Sequence, residues 1–540
     1  MSGPAASDSG ATGASSATSA ATLTGAADAT GVTGVTGASS AAGVSGLRPS
    51  LGWGGLLVLG IANVLGAGVY VMTGTAAAQF AGPAVTLSFA IAGACCLLVA
   101  LCYAELASCM PESGSAYSYC RRALGGGPAW SLGWLLFLEY SIAASLLAVG
   151  FAGYLGSFLG NLGLSIPAVI STAFIHSDLV NGKHVLSAGA SFNLVAALAV
   201  LSAGGIAALG MSRYSVVSTL LVLLKVAVLV SFVLVGAGAV DPANWSPYVP
   251  PNEGGFVYGW EGVARGASLL FFAFLGFETV STAAAETRDP QRDVPIGILG
   301  SLATCTTLYI LTAVVLTGLV PFRQLGVPDP IAIAVDRIGL PSFALLIKVG
   351  ALAGLASVLL ANAFGHSRVC YAMARDGYLP DLFARVHSRR NSLARSNLLL
   401  ATIAAINAAL LPISVMADLI SFGVAFMFAM VAVSLIHMRN QQPDLPRRFR
   451  VPLGGIRIRG VWYGYVPIAA IVTSFLMTLP VALDIINQAR RGDWLSMSLL
   501  TLYALAGLLI YRFYGSRRAR QRSLSSQSPV TDTNKYAHIE

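Results

Sequence analysis

The chain predicts an all-α polytopic membrane protein of twelve transmembrane helices, on three observations. Of 540 residues, 56% are hydrophobic and only 10% charged, with a mean hydropathy of +0.74; soluble domains carry about 25% charge. From Leu51 onward, apolar runs of about twenty residues recur, each long enough to cross a hydrocarbon core of ~30 Å. The first and sixth of these runs are interrupted by glycine at mid-helix, the pairing expected of a five-plus-five inverted repeat with its site at the midplane.

Charge placement excludes a nucleic-acid binder. The net charge is +9, but the basic residues gather in alternate inter-helix loops and at the C-terminus. Taken in order, residues 1–46 are almost wholly Ala, Gly, Ser, Thr and Val, with only Asp8 and Asp28 charged. Such a segment buries too little to offset its ordering entropy. Without a basic region before a compact apolar core it is no signal peptide, and it reads as a disordered cytoplasmic tail.

The apolar runs are 51–78, 83–109, 128–160, 190–210, 213–240, 262–287, 294–320, 342–372, 396–415, 416–438, 463–487 and 494–514, the ninth and tenth being divided near Pro412. Helices 1–10 (47–438) are expected to form the inverted-repeat core, helices 11 and 12 to occupy 439–515, and 516–540 to be a second disordered cytoplasmic tail. With the N-terminus inside, internal loops, tails and helix ends carry 24 of the 32 Lys and Arg and the external side carries 6. That bias orients the chain and puts both termini in the cytoplasm of a plasma-membrane protein. The seven cysteines form no CxxC pair and read as small buried apolar residues.

The first interruption is Leu65-Gly66-Ala67-Gly68-Val69. Each glycine costs about 1 kcal/mol of helix propensity and lets the backbone unwind, which lipid tolerates only where protein or a cavity satisfies the freed groups. By itself the triplet is equally consistent with close helix packing. The sixth span breaks that tie. Phe271-Phe272-Ala273-Phe274-Leu275-Gly276-Phe277-Glu278 places a second glycine among aromatics, before an intramembrane acid. The paired half-helix ends offer N–H groups to an anion and carbonyls to a cation, the two ends of an amino acid.

Two further charges lie at depth. Lys225 is about 12 residues into the fifth span, roughly 18 Å, and Glu139 about 11 into the third, roughly 16 Å. An isolated charge there costs at least ~2.5–3.5 kcal/mol, which makes both functional candidates; the plainer alternative is that they pair with each other. Lys348, near the outer end of its span, is expected to snorkel, and Glu105, near the inner end of the second, to join a salt bridge or gate.

These motifs closely resemble the amino acid–polyamine–organocation superfamily, and within it the cationic amino acid transporter branch of bacterial type. The resemblance spans roughly residues 48–515. It rests on the Leu65–Val71 segment, on Cys102-Tyr103-Ala104-Glu105 with Ser113-Gly114-Ser115-Ala116-Tyr117, on Phe271 to Glu278, on Asp289-Pro290-Gln291-Arg292-Asp293-Val294-Pro295-Ile296-Gly297, and on Arg368 to Gly377. It implies the five-plus-five repeat with two trailing helices. It also implies that Gly66, Ala67 and Gly68 hold the substrate carboxylate, that carbonyls around Phe271, Ala273 and Phe274 meet the α-ammonium, and that Phe274 closes the site from outside. Lys225 matches the lysine of proton-coupled bacterial members, which vertebrate members of the branch lack. As water reaches or leaves it, such an amine can load and lose a proton, bracing the first break when charged and releasing it when neutral. The chain departs from the family at Glu278, where Asp is common, and at Ala285-Glu286, where Glu-Glu is common.

The substrate expected is therefore an amino acid carried by alternating access with a proton, with no cofactor, and with membrane lipids as surroundings. Glu139 would reach the distal cation of arginine, lysine or ornithine, and Asn362 would belong to the side-chain pocket. A small neutral substrate, or exchange in place of symport, is the alternative. Rivals from other classes fare worse. A membrane enzyme needs a nucleophile–base pair or metal ligands, but the six histidines are scattered, and His366, the one within a span, reads as a satisfied packing residue. There is no HExxH and no GxSxG with a partner. A channel would show a repeated pore loop or charged rings. A transport-dead nutrient receptor would share the fold but could dispense with Lys225 or the glycine break, and both are present. The basic clusters at Arg447–Arg450 and Arg512–Arg522 read as orientation signals that anionic headgroups could also attract.

Overall fold

A computed structural model describes residues 51–110, 116–180, 183–209, 214–386 and 393–527. The expected N-terminal tail and residues 528–540 lie outside the described residues. Among those described, nine helical runs are long and apolar enough to cross a membrane, and Trp53–Val64, Leu194–Leu209 and Ala394–Leu410 are shorter apolar helices. We label the principal helices α1 (Trp53–Val64), α2 (Val85–Cys109), α3 (Gly126–Asn161), α4 (Leu194–Leu209), α5 (Tyr214–Gly236) and α6 (Gly259–Phe271). They continue with α7 (Pro290–Leu319), α8 (Pro341–Arg375), α9 (Ala394–Leu410), α10 (Ile413–Gln441), α11 (Tyr465–Arg490), α12 (Leu495–Ile510) and α13 (Ser516–Gln527). Pro412 separates α9 from α10, because it fixes an extended backbone and starts the next helix at its N-cap.

The packing has a simple rule. The heaviest contacts pair α3 with α8, α2 with α7 and α4 with α9, and the outer part of the first span lies against α6, so each of the first four helices meets the one five places on. One group (α1, α2, α6, α7) thus faces another (α3, α4, α8, α9), with α5 and α10 along the seams. Within its most apolar window the α6 run is 83% buried and the α12 run 11%, which places α6 at the centre and α12 at the lipid-facing rim.

Several features departed from expectation. Two antiparallel hairpins, β1 (Ile175–Val180) with β2 (Lys183–Ala188) and β3 (Gly455–Ile458) with β4 (Val461–Gly464), occupy loops that carried no strand expectation. Residues 516–527 are helical, not the disordered tail expected. Arg518 and Arg522 of α13 both bind Asp381, and Arg522 also donates to the carbonyls of Ala374 (2.5 Å) and Arg375 (2.8 Å) at the end of α8. Lys348 does not snorkel. It is fully buried, with its ammonium 2.7 Å from Asp336 and 2.9 Å from Asn161 Oδ1, because the short helix Pro330–Arg337 packs on α8 and brings a carboxylate to it.

Candidate substrate site

Both glycine interruptions are breaks in the backbone. α1 ends at Val64, Leu65 turns out of helical geometry (ψ 87°), and the chain resumes as a π-helical turn over Gly68–Met72. α6 ends at Phe271, tightens into a 3-10 turn over Phe272–Phe274, and is extended at Leu275 (ψ 139°) before Gly276 adopts φ +120°. A single helical turn, Thr279–Thr282, follows.

The breaks interlock, and glycine is what permits it. A Cβ on Gly68 would stand 2.6 Å from that of Ala273, and one on Gly276 would stand 2.5 Å from the Asn63 carbonyl carbon. Gly66 looks the other way, toward Val358 of α8 and Leu147 of α3, both about a methyl group's distance off. The first break is therefore held between the sixth on one side and the α3–α8 pair on the other.

The freed carbonyls are engaged from outside their own helix. Lys225 of α5, 1% exposed, donates from Nζ to Ala62 O at 2.9 Å and Leu65 O at 3.5 Å. Tyr309 of α7 places its hydroxyl 2.6 Å from Val64 O and 3.0 Å from Ala273 O, touching both breaks. Sequence reasoning missed Tyr309, since a tyrosine in an apolar span carries no signal until its neighbours are known. At the sixth break, Glu278 Oε2 accepts the Gly276 N–H at 2.7 Å, so this carboxylate caps its own chain.

Of the other residues singled out, Glu139 is buried, and its Oε2 has no hydrogen-bond partner. It does not pair with Lys225, whose ammonium is turned to the first break. Phe271 packs edge-on against Phe428 of α10 (5.1 Å between ring centroids). Phe274 is turned instead to Phe89 of α2 and Tyr309 of α7, the side of the sixth break away from α3 and α8, so in this conformation it is a packing residue of the α2–α7 interface. Asn362 is likewise not brought to the first break. Gly354 and Val358 line the α8 face toward Lys225 and Gly66, and Asn362, one turn further along, lines a separate cavity with Leu359 and His366.

Two ion clusters flank the site, both on α10. At its N-terminal end Asp418 binds Arg265 of α6, which also meets Asp484 of α11 at 3.1 Å and stacks on Phe80 at 4.7 Å. Arg265, one of the six basic residues counted from sequence on the external side, is 1% exposed. At the other end Arg439 binds Glu105 of α2 (2.6 Å from Nε to Oε1), Arg447 lies 3.5 Å from the same carboxylate, and the Val451 N–H donates to it at 2.7 Å. The salt bridge expected of Glu105 is therefore present.

A model of the family described as amino acid permease matches residues 51–507. The chain belongs to that family. The permease is 37% identical over 469 residues to the methylthioribose transporter of Bacillus subtilis (strain 168), covering 86% of this chain and 93% of that one. It is 35% identical over 475 residues to the branched-chain amino acid permease BcaP of the same organism, covering 88% and 94%. It is also 35% identical over 389 residues to cationic amino acid transporter 4, vacuolar, of Arabidopsis thaliana, covering 72% and 63%. The resemblance drawn from the motifs is thereby established at family level, and these relatives are transporters rather than enzymes.

Proposed function

We propose that the permease is a secondary active transporter of amino acids in the plasma membrane, working by alternating access, coupled to protons and favouring cationic substrates. The observation that carries this reading is the pair of interlocked breaks braced by Lys225. An α-carboxylate fits the N–H groups freed around Gly66–Gly68, and an α-ammonium fits the carbonyls freed around Phe271–Phe274. Twelve crossings in two inverted halves of five, with two trailing helices, is the reading supported by contacts between helices five places apart. The end of α10 that bears Arg439 then faces the cytoplasm, along with both termini.

Coupling follows from the lysine. Charged, Lys225 holds the Ala62 and Leu65 carbonyls; neutral, it is a weaker donor and the first break is freer to move. Glu139 supports a cationic substrate, because a buried carboxylate without a protein cation is complementary to a guanidinium or ammonium. Its Cα is eight residues below that of Leu147 on α3, about 12 Å along the helix, a gap that an extended arginine and the glutamate side chain together can span. The second reading, a neutral aliphatic substrate, is favoured by the Val358 and Leu147 side chains against Gly66. Uptake of labelled arginine into proteoliposomes, competed by arginine, lysine, alanine and leucine, separates the two: inhibition by the neutral amino acids alone defeats the cationic reading, and no saturable uptake of any amino acid defeats the transporter reading.

A further inference from the structure

A cavity between α3, α4, α8 and α9 lies apart from the two breaks. Its lining is largely small and apolar, with Ala144, Ala203, Ala401 and Ala404 among the residues, and three polar side chains join them: Asn362 and His366 from α8 and Asn397 from α9. The small residues leave the space. α4 and α9 already touch at Gly204 and Ala401, where even a methyl on the glycine would overlap, so the two helices cannot close further to fill it.

The polar groups are the unusual part. Asn362 Oδ1, His366 Nε2 and Asn397 Oδ1 are all buried with no protein atom in hydrogen-bonding range. Roughly nine in ten buried polar groups find a partner, so three orphans around one cavity call for a common one. The imidazole cannot turn away to find another: Tyr140 stacks on it at 5.7 Å and Phe137 meets it edge-on at 5.0 Å. The expectation of a satisfied packing histidine is thus corrected, since the ring is well packed but its Nε2 is not paired.

Size identifies the occupant. The cavity offers about 20 Å³ to the centre of a water molecule, against the ~10–15 Å³ that one water needs, and a buried water needs two to four polar partners. An amino acid does not fit. We propose that this cavity is a binding site for a structural water molecule that joins Asn362 and His366 of α8 to Asn397 of α9. A water that donates its two hydrogens to the two amide oxygens accepts from the imidazole, so all three orphans are served when the ring proton of His366 sits on Nε2. The site is independent of which substrate is carried.

Radiolytic hydroxyl-radical labelling of the full chain in nanodiscs, in ¹⁸O water with mass spectrometry, tests it. Radicals formed from a bound water should oxidise His366, Leu359 and Leu400 well above Leu355, an equally buried leucine beyond the cavity. The Asn397→Leu variant, which removes one partner and fills the space, should lose the label at His366. Labelling no faster than at Leu355, or labelling that persists in Asn397→Leu because water arrives by another route, overturns the proposal. Should that variant fail to fold, a wild-type cryo-EM map that resolves ordered waters decides: density among the three side chains is expected, and a dry cavity contradicts it.

Discussion

The two breaks at the centre of the permease are built differently. The sixth is largely self-contained: Glu278 caps Gly276 N–H, and Thr279 closes on the Gly276 carbonyl at 2.6 Å through its hydroxyl and 3.1 Å through its backbone N–H. In the first, Thr73 of the same segment meets the Gly68 and Val69 carbonyls at 3.1 Å, but the carbonyls before them are held from other helices. Those at Ala62, Val64 and Leu65 are met by Lys225 from α5 and Tyr309 from α7. A break that caps itself stays formed whatever its surroundings do, whereas one held from a distance can be switched by whatever moves or discharges its holder. On the coupling proposed above, this difference assigns the first break as the switch and the sixth as the frame.

The sharpest way to break that contrast is to remove the frame. Gly276→Ala forces a side chain into φ +120° and against the Asn63 backbone; a residue held in such a region costs of order 1–3 kcal/mol before the overlap is counted. Folded yield and thermal unfolding temperature should fall more than for any substitution at the first break. Lys225→Met comes next. It removes a charged hydrogen-bond donor worth about 1.5–3 kcal/mol, so gradient-driven uptake should fall roughly 10–100-fold, while the protein still folds because a methionine fills the same space.

Tyr309→Phe keeps the ring and loses only the hydroxyl shared by Val64 and Ala273. A neutral hydrogen bond contributes about 1 kcal/mol, and a severalfold drop in maximal uptake with little change in thermal stability is expected. Glu278→Gln should matter less still, since the amide oxygen can accept the Gly276 N–H in place of the carboxylate. If Glu278→Gln proves as damaging as Lys225→Met, the frame depends on charge and the contrast fails. A pH effect away from both breaks is the smallest. Arg518 and Arg522 hold the exposed Asp381 carboxyl below the usual carboxylate range. A depressed value means that its contribution to docking α13 is present above the ordinary carboxylate pKa and is lost as pH falls through the lowered one. Hydrogen exchange over 516–527 should therefore be flat near neutrality and rise only in acid, with uptake unaffected by Asp381→Asn.

The architecture was legible because lipid imposes few options. Composition, span length and Lys/Arg placement each speak to the membrane directly, and the two glycine interruptions stood out against helix-forming surroundings. Lys225, Glu139 and Glu105 were visible because a charge in an apolar run demands a reason. What the sequence withheld was which neighbours each turn of a helix meets. Asn362 and Val358 sit four residues apart on α8, yet one lines the water-sized cavity and the other the first break, and Phe274 and Phe271 part company in the same way. Arg265, near the start of its span, was counted with the external-side charges, and only its carboxylate partners on α10 and α11 reveal it as buried. Tyr309 gave no signal at all, because its role lies in two carbonyls from distant segments.

One measurement bears most directly on the claim that a buried amine switches the first break. Uptake of the best substrate into proteoliposomes, with and without an inward proton gradient, is compared between wild type and Lys225→Met. The account predicts that the gradient stimulates wild-type uptake and leaves the variant at its ungradiented rate, with substrate-induced thermal stabilisation retained in both. A variant stimulated by the gradient as strongly as wild type would contradict it.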